Sequence, residues 1–491
     1  MVCFLHFYGH YHLKKYKFLK RVYALILVLA FYTSTIFSQY LVSYNYIGLT
    51  PSNFFSIATG IPLDYDVKMY KLTYNTVDTD SLPTIATGAF FIPTNTSCTD
   101  FPFAVYNHGT TLMKTDVPSN NNYEALIGGV FSAGGYLVCM PDYIGMGDSP
   151  GLHPYVHGES EATASIDMIR AAREFIVSNT SLVDNNELFL TGYSQGGHAC
   201  MATNKYIQDM NLSSEFNILA SAPCSGPYDL TGVMADTIIS PTPYSNPGYI
   251  LYLLASYELV YGNIFNSWSE VIYPPYDTIA PPFFNGNNTT LDMGLLNSLI
   301  PNDMSLLIRD TCMNNFVNDS INMSHPWWQA LIDNDNYDWT PQNPLKMYYC
   351  TQDEQVAYTN SLTAETAMNN NGAPNVQAVN AGNFDHEGCV LPALSDAFYW
   401  FQTLKTPCST SSVSNGELIN TNIFPNPFLN ELSISFAEEV DLTIYSLEGK
   451  LILEEKKVQN IHLKTSNWAS GMYIIKAKGL TAYQNAIIMK Q

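Results

Sequence analysis

Charged residues are scarce in this chain, and basic residues are the scarcest of them. Only 13% of the 491 residues are charged, and 21 lysines and arginines stand against 43 aspartates and glutamates, for a formal net charge of −22. Proteins that bind nucleic acid need clustered Lys and Arg, and no basic stripe occurs after residue 21. We therefore expect no nucleic-acid partner, and a neutral substrate rather than an acidic one.

Clusters of metal ligands are lacking as well. The nine cysteines include no CxxC pair and form no Cys/His cluster at zinc spacing, so we expect no metal and no cofactor. Eight cysteines remain once Cys3 is removed with the leader described next. An even number permits disulfides in an exported protein, but the sequence does not choose among the pairings.

The N-terminal apolar run, 22–31, is too short to span a bilayer comfortably. Five basic residues precede it, and small and polar residues follow at 34–39. This order is typical of an export signal, so we predict a signal peptide over 1–39 with cleavage near Ser38–Gln39. A membrane anchor is the alternative.

Hydrophobic residues make up 46% of the chain, which is a globular composition, and short apolar strands alternate with amphipathic helices over residues 80–405. The strand-like segments are 101–105, 136–140, 187–191, 217–222, 345–350 and 376–379. Strands separated by helices predict a mostly parallel sheet covered on both faces, in a domain over 40–405. An aromatic-rich segment, about 228–343, is too long for a connection and predicts an inserted helical cap. Its aromatic side chains either line an apolar pocket or pack the cap's own core.

The composition changes after residue 405. Residues 406–421 are rich in Ser and Thr and predict a linker. In 422–491, charges cancel, and 432–436, 440–445 and 473–476 have the pattern of strands, which predicts a small all-β sandwich.

Three blocks of this tail resemble the C-terminal sorting domain of the type IX secretion system. They are Phe424-Pro425-Asn426-Pro427-Phe428, the hairpin 444–450 and Gly471-Met472-Tyr473-Ile474-Ile475-Lys476. The resemblance implies the type IX machinery as a partner, passage across the outer membrane, a transient association with that membrane and later removal of the domain. A carbohydrate-binding β-sandwich is the alternative.

Gly192-Tyr193-Ser194-Gln195-Gly196 fits the G-x-S-x-G nucleophile elbow. The apolar segment 188–190 leads into it, and small residues then open a helix, which is the strand–turn–helix context that the motif requires. Glycine on both sides allows the strand and the helix to approach closely. We predict Ser194 as the nucleophile.

A serine nucleophile needs a histidine base, and in folds that carry this elbow the base follows the last strands of the sheet. Nine of the ten histidines lie elsewhere: in the leader (His6, His10, His12), before the elbow (His108, His153, His157), on the helix behind it (His198), in the cap (His325) and in the tail (His462). The remaining one, His386, lies in the loop after the strand 376–379. For the acid we predict Asp353, after the strand 345–350, with Glu354 as its competitor.

The oxyanion hole needs backbone donors at the nucleophile. The N–H of Gln195 is one, and an N–H of His108, Gly109 or Thr110, in the loop after the strand 101–105, is the second. An ordinary polar loop is the alternative for these three residues.

Several of these motifs, taken in order, resemble the secretory lipase family over residues 60–405. They are the loop 108–111, the segments 141–149 and 153–155, Asp167 with 170–173, and the elbow. The resemblance implies a cap-covered α/β-hydrolase that cleaves carboxylic esters, small-molecule or lipid, without a cofactor. Asp142 and Arg170 match family positions, and we interpret them as structural.

We therefore predict a secreted serine esterase or lipase that acts through an acyl-enzyme on Ser194. A serine exopeptidase of the same fold is the alternative, although the cap contains no paired glutamates to clamp an amino terminus. A surface binding protein on an inactive hydrolase scaffold is a third hypothesis.

Overall fold

The computed structural model describes residues 39–408, 417–418, 421–446, 450–479 and 482–490. The predicted signal peptide lies outside these ranges except for its last residue, and so does most of the predicted linker. Within them, no helix has both the length and the apolar character needed to cross a bilayer.

Nine strands form the main sheet, in the order β1-β2-β3-β5-β4-β6-β7-β8-β9. They are β1 Leu41–Thr50, β2 Asp66–Val77, β3 Pro83–Thr94, β4 Asp100–Asn107, β5 Leu137–Pro141, β6 Val183–Tyr193, β7 Ile218–Cys224, β8 Leu345–Cys350 and β9 Val376–Gly382. From β5 to β9 all neighbours are parallel, as the sequence predicted. The first three strands form an antiparallel meander that the sequence analysis did not predict.

Helices cover both faces of this sheet and form the cap. They are α1 Ser52–Thr59, α2 Ala125–Ala133, α3 Gly158–Asn179, α4 Gln195–Asp209, α5 Ala235–Ile239, α6 Gly248–Tyr261, α7 Trp268–Val271, α8 Tyr276–Ile279, α9 Met293–Leu299, α10 Met304–Leu307, α11 Asp310–Asn318, α12 Pro326–Asn334, α13 Thr359–Asn370 and α14 His386–Leu404.

The second half of strand β6, residues 188–193, illustrates why the central strands contain continuous buried runs. Phe189 packs into a cluster with residues of α2 and α14, whereas Leu190 packs into a second cluster with residues of α3. Because successive side chains of a strand point to opposite faces, a parallel strand covered on both sides buries consecutive residues, as residues 188–193 do. This packing fixes the carboxyl end of β6, where the elbow begins.

The segment between β7 and β8 contains α5 to α12 and has a hydrophobic cluster of its own. Phe316 stacks on Trp328 with ring centroids 4.1 Å apart, and both side chains are buried. Phe316 and Trp327 also border an apolar cavity of about 40 Å³. Many aromatic residues of the cap therefore pack its interior, which was one of the two expectations for them.

The C-terminal region is all-β, as predicted, and its strands form a second sheet. They are β10 Glu417–Leu418, β11 Thr421–Phe424, β12 Glu431–Ser446, β13 Leu451–Lys464, β14 Gly471–Lys478 and β15 Ala482–Lys490. The separate strands predicted at 432–436 and 440–445 are a single strand, β12. Its pairing with β13 is irregular between Ser435 and Val440, which explains the break in the sequence pattern.

The described part of the chain contains two disulfides, and they resolve part of the pairing that the sequence left open. One joins Cys98 to Cys408 and the other joins Cys350 to Cys389. Four described cysteines are free: Cys139, Cys200, Cys224 and Cys312.

Candidate active site

Ser194 lies in the sharp turn between β6 and α4. Its backbone has φ 59° and ψ −120°, a conformation that a residue with a side chain rarely adopts, and its N–H donates to the carbonyl of Cys224 at 3.0 Å. A Cβ at Gly196 would lie 1.9 Å from the carbonyl oxygen of Asn107, and one at Gly192 would lie 2.2 Å from the carbonyl oxygen of Gly196. The two glycines are therefore required by close backbone contact, as the motif predicted.

The structure brings the three predicted side chains together. His386 Nε2 lies 2.9 Å from Ser194 Oγ, and His386 Nδ1 lies 2.9 and 2.8 Å from the two carboxylate oxygens of Asp353. All three side chains are buried. Because Nδ1–H donates to the carboxylate, the lone pair of Nε2 faces the serine hydroxyl and is able to accept its proton.

The loop after β8 separates the roles of its two acidic residues. Asp353 Oδ1 accepts backbone N–H groups from Gln355 at 3.1 Å and from Val356 at 2.8 Å, which holds the carboxylate toward the imidazole. Glu354 instead accepts the backbone N–H of His386 at 3.1 Å. The competitor therefore anchors the backbone of the histidine and does not contact its ring.

The candidate oxyanion donors lie at the carboxyl ends of β4 and β6. Gln195 is the first residue of α4, so its N–H has no acceptor within the helix. The N–H of Gly109 already donates to both carboxylate oxygens of Glu124 at 3.1 Å. The hydroxyl of Thr110 is hydrogen-bonded to the Tyr155 hydroxyl at 3.0 Å. Since the N–H of Gly109 already donates to Glu124, the geometry favours Thr110 over Gly109 as the second donor. The third candidate, His108, is buried in the same loop.

A buried polar network behind the elbow was missed by the sequence analysis. The side-chain amide of Gln195 donates to Glu161 at 2.9 Å and contacts His153 Nε2 at 2.7 Å, while the other oxygen of Glu161 pairs with His198 at 2.7 Å. Burial lowers the pKa of His153 to about 3, so its ring is neutral and Nε2 accepts the amide N–H. Burial opposes the charge on His198, but the Glu161 carboxylate outweighs it and raises the pKa of that histidine.

This network fixes the side chain of the residue whose backbone is a candidate oxyanion donor. His198 is hydrogen-bonded at both ring nitrogens, as expected of a structural histidine. Glu161 precedes Gln195 by 34 residues, and no spacing rule connects positions so far apart.

Asp142 and Arg170 make contacts that hold the fold together, in agreement with their structural interpretation from the sequence. The buried Asp142 accepts hydrogen bonds from the Thr87 hydroxyl at 2.6 Å and the Ser119 N–H at 3.0 Å. Arg170 forms ion pairs with Asp167 at 2.9 Å and Glu215 at 2.7 Å.

A family model described as secretory lipase matches residues 122–404, which is more than half of the chain. The chain belongs to the secretory lipase family. A second model, described as a secretion system C-terminal sorting domain, matches residues 422–490. Both resemblances stated from the sequence are thus confirmed. This member of the secretory lipase family is a secreted protein that carries a type IX sorting domain. No curated protein sequence matches it.

Solved structures agree with the family assignment. The rice cell wall degrading esterase LipA of Xanthomonas oryzae is 26% identical, with a TM-score of 0.65 over 74% of this chain and 98% of LipA. A Legionella pneumophila protein classed as a hydrolase is 26% identical, with a TM-score of 0.67 over 76% and 100%. Candida antarctica lipase A, 15% identical over 75% and 84%, has a TM-score of 0.52 and shares the fold. The α/β-hydrolase fold is confirmed, and the enzyme is a carboxylic ester hydrolase.

Proposed function

We propose that this enzyme cleaves neutral carboxylic esters through an acyl-enzyme on Ser194. The observation that carries the proposal is the continuous chain of hydrogen bonds from Ser194 Oγ through His386 to Asp353, at 2.9 and 2.8 Å. Burial of all three groups keeps water away from these contacts and strengthens them.

In the first half of the reaction, the Ser194 oxygen attacks the ester carbonyl while His386 Nε2 takes the hydroxyl proton. The carbonyl π electrons move to oxygen, and the negative charge is held by the N–H of Gln195 and by a second N–H of the loop after β4. When the intermediate collapses, the bond to the alkoxy oxygen breaks. His386 gives its proton to the departing alcohol, and the acyl group stays on Ser194.

In the second half, water attacks the acyl carbonyl and His386 accepts its proton. Collapse of the second tetrahedral intermediate releases the acid and returns the proton to Ser194. Throughout, the Asp353 carboxylate holds the Nδ1–H tautomer of His386 and stabilises the imidazolium whenever it forms.

The surroundings of the site favour an ester with an apolar or aromatic group. Tyr244 and Tyr249 of the cap segment donate their hydroxyls to the backbone and side-chain carbonyls of Gln355 at 2.9 and 3.0 Å. Tyr155, whose ring centroid lies 6.4 Å from that of Tyr249, contacts Thr110 in the loop after β4. Tyrosine rings thus border both the acid loop and the loop that carries the candidate oxyanion donors, and ring faces pack well against apolar or planar groups.

A series of p-nitrophenyl esters of increasing acyl length, assayed beside aminoacyl p-nitroanilides, tests this proposal. We expect ester turnover, and trapping of Ser194 by a fluorophosphonate that peptide mass spectrometry locates. Ser194→Ala should abolish both turnover and labelling. The control is Ser221→Ala, because Ser221 is buried in the same sheet and contacts Asn204 instead of a histidine. Strong amide turnover with negligible ester turnover would identify an exopeptidase instead.

We further propose the division of the chain that the sequence predicted: signal peptide 1–39, catalytic domain 40–405 with the cap at about 228–343, linker 406–421 and sorting domain 422–491. On this division the leader directs export across the inner membrane, and the tail engages the type IX machinery with a transient association at the outer membrane. N-terminal sequencing of the protein recovered from the medium, and its intact mass, test both cleavage sites.

A further inference from the structure

One of the two disulfides lies directly beside the candidate acid and base. Cys350 is the last residue of β8, three residues before Asp353, and Cys389 lies in the first turn of α14, three residues after His386. Both cysteines are fully buried. The bridge therefore joins covalently the two segments whose side chains must meet.

Strands β8 and β9 are paired up to Cys350 and Gly382. Beyond that pairing, and apart from the Asp353–His386 contact itself, the hydrogen bonds between the two loops lie closer to the solvent. The Thr351 hydroxyl donates to the Asn383 side chain at 2.8 Å in an exposed contact, and the Thr351 N–H donates to the Gly382 carbonyl at 3.1 Å. Glu354 accepts the His386 N–H at 3.1 Å and is itself exposed. Water competes with exposed hydrogen bonds and weakens them, whereas it does not affect the buried covalent bridge.

The second disulfide provides a comparison within the same chain. Cys98 precedes β4, at the amino end of the parallel strands, whereas Ser194 lies at the carboxyl end of β6. The chain segments closed by the two bridges differ as well, with sequence separations of 310 residues for Cys98–Cys408 and 39 for Cys350–Cys389. In the chain-entropy account a longer closed loop gives the greater stabilisation.

We propose that the Cys350–Cys389 bridge is a positioning element of the active site, which fixes the Asp353 carboxylate against the imidazole of His386. The inference rests on the proposed function, since it assigns the bridge to the geometry of that acid–base pair. Small displacements of a catalytic group are costly: about 1 Å reduces the rate by roughly 100-fold. The bridge acts on the rate of the chemical step and not on substrate affinity.

The test compares Cys350→Ala/Cys389→Ala with Cys98→Ala/Cys408→Ala in the full-length enzyme. Activity on a short p-nitrophenyl ester is expressed per active site titrated with fluorophosphonate, so that unfolded protein is not counted. We expect kcat of the first variant to fall by roughly 10- to 100-fold with KM within about twofold. We expect the second variant to keep its kcat while losing more thermal stability than the first.

A spectroscopic readout separates positioning from general support of the fold. The far-downfield proton resonance of the His386 Nδ1–H···Asp353 hydrogen bond should persist in the wild type and in Cys98→Ala/Cys408→Ala. It should broaden or vanish in Cys350→Ala/Cys389→Ala. If that variant does not fold, Cys350→Val/Cys389→Ala, which refills the volume of the bridge, replaces it.

Unchanged kcat and resonance in an active variant would overturn the inference while leaving the proposed function intact. An equal loss of kcat from removing either bridge would overturn it too. Failure of both Cys350→Ala/Cys389→Ala and Cys350→Val/Cys389→Ala to fold would also overturn it, because the bridge would then act through folding. Failure of the proposed function is distinguishable, since it would appear as ester turnover that survives Ser194→Ala.

Discussion

Asp353→Asn tests the proposed mechanism most sharply, because the structure dictates how the new amide must sit. Asp353 Oδ1 accepts N–H groups from Gln355 and Val356, so the amide oxygen has to occupy that position. The NH₂ group then replaces Oδ2, which lies 2.8 Å from His386 Nδ1. Oδ1 also lies 2.9 Å from Nδ1, but it already accepts the two loop N–H groups, and a ring that kept its proton on Nδ1 would face the NH₂ group donor against donor at the shorter distance. We therefore expect Nδ1 to become the acceptor and the ring proton to move to Nε2.

That tautomer presents an N–H to Ser194 Oγ where a lone pair is needed, and the serine proton has no acceptor. Loss of the correct tautomer in this arrangement costs about 10⁴-fold in kcat, or about 5 kcal/mol of transition-state stabilisation. Stability should change by less than about 1 kcal/mol, because the side-chain volume and the acceptor for the two loop N–H groups are retained.

The assay is kcat and KM on a short p-nitrophenyl ester at neutral pH, with thermal unfolding of the same preparations. Glu354→Gln is the matched control, since Glu354 contacts the backbone of His386 and its amide oxygen is still able to accept that N–H. We expect the control to stay within about tenfold of the wild type. If Asp353→Asn retained a tenth or more of the wild-type kcat, the assignment of Asp353 as the residue that sets the tautomer would be wrong.

Three further predictions concern stability and export. Gly196→Ala should destabilise the protein by about 4 kcal/mol or more in thermal unfolding, because its Cβ would meet the backbone of Asn107. The control is Gly48→Ala, whose Cβ would have no atom within 4 Å and which should cost about 1 kcal/mol or less. Equal effects would contradict the packing argument. His153 is buried with a pKa of about 3, so the folded state loses stability as the pH falls below the unfolded value of about 6.5. The stability difference between the wild type and His153→Asn, measured by urea unfolding, should therefore move by roughly 2–3 kcal/mol in favour of the variant from pH 7 to 4.5. A constant difference would exclude a neutral buried ring. Deletion of 422–491 should leave the enzyme inside the cell by fractionation yet spare the activity of the purified remainder, and secretion of the deletion would refute the assignment of the tail.

The sequence was most informative where the chemistry constrains neighbouring residues. The elbow was predictable because the motif, the strand before it and the small residues after it lie within about a dozen positions. The parallel strands were equally clear, since a strand covered on both faces contains a continuous run of mostly apolar residues. His386 emerged by elimination, which works only because the order of elements places the base after the last strands.

Relationships between distant residues could not be predicted. In the meander, β1 is mostly exposed and β2 alternates in burial, and both precede the region where strands and helices alternate. Contacts between Glu161 and Gln195, or between Cys350 and Cys389, depend on how helices pack against the sheet. A single sequence contains the residues of such contacts but not their pairing. The same reason explains why the engagement of Gly109 by Glu124 was not foreseen.

The carboxyl edge of the sheet explains how three distant loops reach a common point. The Ser194 N–H donates to the carbonyl of Cys224 in β7, and the Ser225 N–H donates to the carbonyl of Tyr348 in β8. Backbone hydrogen bonds therefore run from the elbow across β7 to the strand that carries the acid, and they set the spacing of the loop origins. The last few ångströms depend on contacts within the loops themselves, because Asp353 is oriented by its own backbone neighbours. Substitutions in these loops should therefore reduce kcat more than stability, whereas substitutions in the central strands should do the reverse.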